Sequence, residues 1–219
     1  MSDPTYSASI QHDRNGNRLV QGNGSVRVLD SGAKEFPSSG LATSLLGVAS
    51  FEPGAVNVFE ERMGHLRRLF ITLTNLVVPT VDATTNGAQG TAVLLTFPRG
   101  NIQLLGASSN LTIVGDGTGI TTTAAVVSAV GTVVPAVDAT LTSTEANILP
   151  SYAATLTAGA GVVKGRGVTG AFFDNTTNTN ATQLTANLNF AVPDAGSTAN
   201  GTITVSGTIQ ITYYNHGDN

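Results

Sequence analysis

In Thr202-Ile203-Thr204-Val205-Ser206-Gly207-Thr208-Ile209-Gln210-Ile211-Thr212-Tyr213, large apolar side chains occupy the odd positions, Gly207 excepted, and Thr, Ser or Gln stand between them. Successive side chains of a strand point to opposite faces, so this period of two describes a strand that buries one face and wets the other. Residues 184–192 repeat it, with Leu184, Ala186, Leu188, Phe190 and Val192 on one side and Thr185, Asn187 and Asn189 on the other. Half-buried strands of this kind belong to antiparallel sheets. The connection Pro193-Asp194-Ala195-Gly196-Ser197-Thr198-Ala199-Asn200-Gly201 is rich in turn formers and is expected to close the two strands as a long-loop hairpin.

The same signal recurs toward the N-terminus in shorter runs. Leu69, Ile71 and Leu73 alternate with Phe70, Thr72 and Thr74, and strands are expected at 26–29, 44–51, 55–60, 91–97, 101–107 and 111–114. Glu52-Pro53-Gly54, Pro98-Arg99-Gly100-Asn101 and Gly115-Asp116-Gly117 punctuate them as turns. Residues 126–134 and 152–163 read as weaker strands. Helix is confined to one or two turns before Pro150, where Thr142 and Glu145 have the spacing of a capping box. Short strands with turns every ten residues or so point to an all-β chain, an antiparallel β-sandwich of jelly-roll-like topology. It is expected as a single domain over 25–219, preceded by an extended N-terminal arm over 1–24, where neither period is sustained.

Composition narrows the function. Of 219 residues only 11% are charged, less than half the roughly 25% of an ordinary domain, and Thr is about one residue in seven. With 41% hydrophobic residues the chain is not globally disordered. The net charge of −4 argues against a nucleic-acid partner, which needs clustered Lys and Arg. Cysteine is absent, so no disulfide, Cys-ligated zinc or thiol nucleophile is available. The first residues lack the charged and apolar regions of a signal peptide, and the apolar stretch 124–137 is too short to span a bilayer, so no membrane partner is expected. Charge is also uneven: seven of the ten basic residues precede residue 69, namely Arg14, Arg18, Arg27, Lys34, Arg62, Arg67 and Arg68.

Motifs for chemistry are weak. Gly165-Arg166-Gly167-Val168-Thr169-Gly170 matches GxGxxG, but no helix start follows to hold a pyrophosphate, and the segment reads as a Gly-rich loop. His12, His65 and His216 are scattered among the arm, the charged segment and the tail. Glu60 and Glu61 are adjacent and would point to opposite faces of a strand, so with Arg62, Arg67 and Arg68 they form an ion-pair patch rather than a hydrolytic pair. Asp116 sits in a turn without the alternating ligands of a calcium loop. The shared segment Val-Val-Pro-x-Val-Asp-Ala-Thr at 77–84 and 133–140 is too short for a solenoid repeat. No catalytic residue, cofactor or metal is expected.

Three segments carry a resemblance: Gly54-Ala55-Val56-Asn57-Val58-Phe59-Glu60-Glu61-Arg62; the middle from Phe97-Pro98-Arg99-Gly100-Asn101-Ile102 to Gly115-Asp116-Gly117-Thr118-Gly119; and the ending from Gly201-Thr202-Ile203-Thr204-Val205 to Tyr213-Tyr214-Asn215-His216-Gly217-Asp218. Over most of residues 50–219 the chain resembles small structural proteins of tailed bacteriophages, and in size and β-content the capsid decoration, or cement, proteins. That resemblance implies a non-enzymatic virion protein, a homotrimer on the outer head surface that binds the major capsid protein and bridges capsomers, present in host cytoplasm during assembly. Low charge and an unpatterned arm are compatible with this, since few charges need be desolvated on association. Residues 1–68 are then expected to supply much of the contact, through Arg14, Arg18, Arg27, Glu60, Glu61, Arg62, Arg67 and Arg68. The alternative is a receptor- or glycan-binding module of a tail, spike or adhesin, acting through polar loops such as 174–181; a β-fold polysaccharide hydrolase is a third reading.

Overall fold

A computed structural model describes residues 55–217 except 64, 84, 137–139, 168–169 and 176–183, together with the backbone of four short strands nearer the N-terminus. The chain divides into two units, Met1–Leu45 and Leu46–Asn219. In the first, β1 (Ile10–His12) pairs antiparallel with β2 (Leu19–Gln21), and β3 (Arg27–Val28) with β4 (Lys34–Glu35). The expected strand at 44–51 and the expected boundary at 24/25 lie outside the described residues.

The second unit is all-β and antiparallel. Among the described residues its ten strands are β5 (Val56–Met63), β6 (Leu66–Asp82), β7 (Ala88–Thr96), β8 (Gly100–Gly115), β9 (Ala125–Gly131), β10 (Leu149–Thr155), β11 (Ala160–Gly167), β12 (Phe172–Asn175), β13 (Thr185–Val192) and β14 (Gly201–Asn215). They form one sheet in the order β10-β9-β13-β7-β6-β14-β8-β11, with β5 added beside β6 and β12 beside β8. The sheet curls on itself as a sandwich: its two end strands, β10 and β11, are consecutive in the chain, linked by the tight Thr157–Ala160 turn, and lie against each other where Gly165 and Gly167 meet Tyr152 and Pro150. Inward-facing residues of nearly every strand then share one core, with Leu69, Ile71, Ile102, Leu104, Phe190, Ile203, Ile209 and Ile211 almost fully buried. Phe97 meets Tyr213 edge to face there, ring centres 5.3 Å apart, which is a favourable quadrupolar geometry.

Three expectations are corrected. The strands at 184–192 and 202–213 exist but do not pair: β13 lies between β7 and β9, and β14 between β6 and β8. Nor does β13 wet its Asn face. Asn187 and Asn189 are buried: Asn189 Nδ2 donates to the Val133 and Glu145 carbonyls at 2.8 Å each and Asn187 Nδ2 to the Gly131 carbonyl at 3.3 Å. The alternation was polar because those amides satisfy carbonyls, not because water covers them. Finally, Gly165 and Gly167 are strand residues of β11 rather than a loop. A Cβ on Gly165 would stand 2.6 Å from the Tyr152 ring and one on Gly167 2.3 Å from Pro150 Cδ, so glycine is what lets β10 lie against β11.

Other local readings hold. The expected helical turn is a single 3-10 turn, Ser143–Glu145, whose Glu145 carboxylate accepts the Thr142 N–H at 2.9 Å in a capping box. The Asp116 turn is pinned by its own carboxylate, which accepts the N–H groups of Thr118 (3.0 Å), Ile120 (2.9 Å) and Thr202 (2.7 Å).

Candidate interaction face

Because directly opposed residues in a ladder share a face, the register of β5, β6, β14, β8 and the short strands beside β8 defines which side chains stand together on the outer surface. One row runs Met63, Leu66, Tyr214, Gln103, Phe172. A second runs Phe59, Phe70, Gln210, Ser108, Arg166. Between them lie Glu61, Arg68, Thr212 and Gly106. With strands about 4.8 Å apart, five strands make a face roughly 20 Å across.

This face is open and unusually apolar. Phe172 is 60% exposed, Phe59 58% and Met63 54%, and Phe70 and Tyr214 are exposed as well. Phe59 and Phe70 are ring neighbours at 6.0 Å across β5 and β6. The His216 ring stands 6.1 Å from Phe172 and 5.9 Å from Tyr214, linking them into one aromatic surface, and its Nε2 lies 3.2 Å from Gln103 Oε1. Large apolar side chains exposed together, rather than singly, mark interaction surfaces.

The pleat separates the expected contact residues. Glu61 and Arg68 are outward and paired at 3.4 Å. Glu60, Arg62 and Arg67 belong to the opposite side of the same strands, where Arg62 Nε donates to Glu60 Oε2 at 2.5 Å and the Tyr213 hydroxyl to Glu60 Oε1 at 3.3 Å. The Glu60 side chain is only 4% exposed, so it serves the end of the core rather than a partner. Burial, and next the Glu60 charge, push the Tyr213 phenol well above its ordinary value, which keeps it a neutral hydrogen-bond donor. Arg14 and Arg18 lie outside the described residues; Arg27 stands opposite Glu35 in the β3–β4 ladder.

His65 Nδ1 lies 3.0 Å from the Asn215 carbonyl. Among the described residues no group of three His, Asp or Glu side chains converges as a metal site requires. The aromatic members of the face escaped sequence reasoning, although the signal was present: Phe59 shares its parity with Asn57 and Glu61, and Phe70 with Thr72 and Thr74, which places both rings on wetted sides.

No protein-family model matches the chain, and no curated protein does. A solved structure described as "CBM4 structure and function" aligns at 13% identity over 72% of this chain and 91% of that one, with a TM-score of 0.35. A likeness of that size carries neither family nor function.

Proposed function

We propose that the chain is a virion structural protein of the capsid-decoration kind, which seats on the outer head lattice and bridges capsomers. The observation that supports this best is the open aromatic face of β5, β6, β14, β8 and β12. Its rings sit among Thr, Ser and Gln, with one ion pair between the two rows and Arg166 at the rim of the second, so association at its centre desolvates little charge while covering much apolar surface. The fold-independent part of the reading is the resemblance over residues 50–219, which brings the head lattice as the partner.

The test uses purified virions and heads assembled without this chain. Copies per particle commensurate with the capsomers, and saturable binding of the added chain to bare heads, are expected. The double variant F172S/Y214S should bind heads at least about tenfold more weakly, as when anchoring aromatics are removed from an interface. Virions free of the chain, or heads bound equally well by the variant, would sink the proposal. The glycan-binding alternative draws on the Phe172–His216–Tyr214 surface, since aromatic rings beside amides are what sugars stack on; it predicts saturable binding on a glycan array that F172S/Y214S abolishes.

A further inference from the structure

We infer that β5 is a homotypic docking edge, where a second copy of this chain adds its own β5 antiparallel, about a two-fold centred on Phe59. β5 pairs with β6 along its whole length without a register shift, and among the described residues it pairs with no other strand. The Thr74 N–H donates to the Ala55 carbonyl at 2.9 Å, so the odd-numbered residues here turn their peptide groups toward β6. The peptide groups of Val56, Val58, Glu60 and Arg62 therefore point at the open edge. Such a row is a template for another strand, and β5 has neither the proline nor the bulge that blunts edges.

Side chains select the occupant and the register. A two-fold that keeps both outward faces on one side must centre on a residue. Centring on Glu60 or Glu61 sets a carboxylate against its own copy, and centring on Arg62 does the same with guanidinium groups. Centring on Phe59 pairs Val56 through Arg62 with their mates and avoids every such clash, whereas the equally clash-free centre at Val58 pairs only Val56 through Glu60 of the strand. Val58 then exchanges both backbone hydrogen bonds with Glu60 of the other copy, and Val56 with Arg62. Asn57 offers its amide to the opposite Glu61 carboxylate, while Glu60 keeps its own Arg62 at 2.5 Å. Phe59 meets its mate at a non-hydrogen-bonded position, where side chains approach most closely. Flanked on both sides by Phe70, the pair becomes a continuous row of four rings, which removes the most exposed phenylalanine of the β5–β6 hairpin from water. This pairing is independent of the capsid reading, and its symmetry is two-fold rather than the three-fold that the resemblance implies.

The test uses the full chain and its lack of native cysteine. Light scattering should give twice the 22.3 kDa chain mass at high concentration. F59C should cross-link into disulfide dimers on mild oxidation, because opposed non-hydrogen-bonded residues lie about 4.5 Å apart at Cα. N57C, displaced from its own mate by four residues or roughly 13 Å, should not. V58P removes an N–H that faces the open edge, not β6, and should leave a folded monomer by circular dichroism and light scattering. A monomer at every concentration, a trimer mass, or N57C cross-linking as readily as F59C would overturn the inference. Should V58P fail to fold, the comparison of F59C with N57C decides.

Discussion

The Tyr213 hydroxyl reaches from β14 across β6 to donate to Glu60 Oε1 on β5, at 3.3 Å. Glu60 is thereby held by two donors, Tyr213 and Arg62, and the edge strand is tied to the core by a hydrogen bond that spans two ladders. Tyr213→Phe removes the donor while keeping the ring against Phe97. A loss of about 1.5–3 kcal/mol is expected, the scale of a buried hydrogen bond to a charged acceptor, read as a lower urea midpoint with unchanged slope.

The Asp116 carboxyl gives the molecule an acid-sensitive turn. Burial raises its pKa, but N–H donation from Ile120, Thr118, Thr202 and Gly119 lowers it more, and the net value falls below the ordinary 3.8. A depressed folded value means stability that is present above 3.8 and is lost as pH falls through the folded pKa. The melting temperature of D116N should accordingly lie below that of the native chain at neutral and mildly acid pH. The gap should close in the range below 3.8; a gap that stays constant to the acid limit would contradict the assignment.

Gly167 is expected to be far less replaceable than Gly117. An added Cβ meets rigid Pro150 Cδ at 2.3 Å in the first case and only Thr122 Cγ2 at 3.7 Å in the second, where the cost is the positive φ of 76° alone. Thermal denaturation should place G167A about 1–3 kcal/mol below the native chain, by overpacking, and G117A about 1 kcal/mol below.

Asn189 ties Val133 and the Ser143–Glu145 turn to β13. Its amide donates to two carbonyls, and its Oδ1 accepts the Thr91 hydroxyl at 2.8 Å. Asn189→Ala leaves these groups buried without partners, at about 2–4 kcal/mol, and should open this segment locally. Limited proteolysis of the variant should then cut within 132–136 or 140–148 earlier than in the native chain, and before the rest of the sandwich.

What could be read from the residues follows their solvation. β6 and β14 were legible because each has one wet face, so their period of two survives in the sequence. β13 misled because Asn187 and Asn189 look like surface residues and are buried acceptors' partners, a fact set by residues 44 to 56 positions away. The neighbours of β13 and β14 were also hidden, since pairing depends on a curl closed by β10 and β11, not on local pattern. At the candidate face the charged hairpin was visible, but the pleat divides it: Glu61 and Arg68 are on the surface and Glu60 is not. Phe172 and Tyr214 come together with His216 only through the β12–β8–β14 register.

β14 is hydrogen-bonded to β6 on one side and β8 on the other along nearly its entire length, with the C-terminal residues just beyond it. A pull on that terminus along the strand loads both ladders in shear, so many hydrogen bonds resist together, whereas the edge strand β5, parallel to β14 and likewise loaded in shear, is held by its single ladder with β6. The sandwich is therefore mechanically uneven: cargo fused beyond His216 hangs from a strand held by two ladders, and tension entering from the N-terminal side meets a strand held by one.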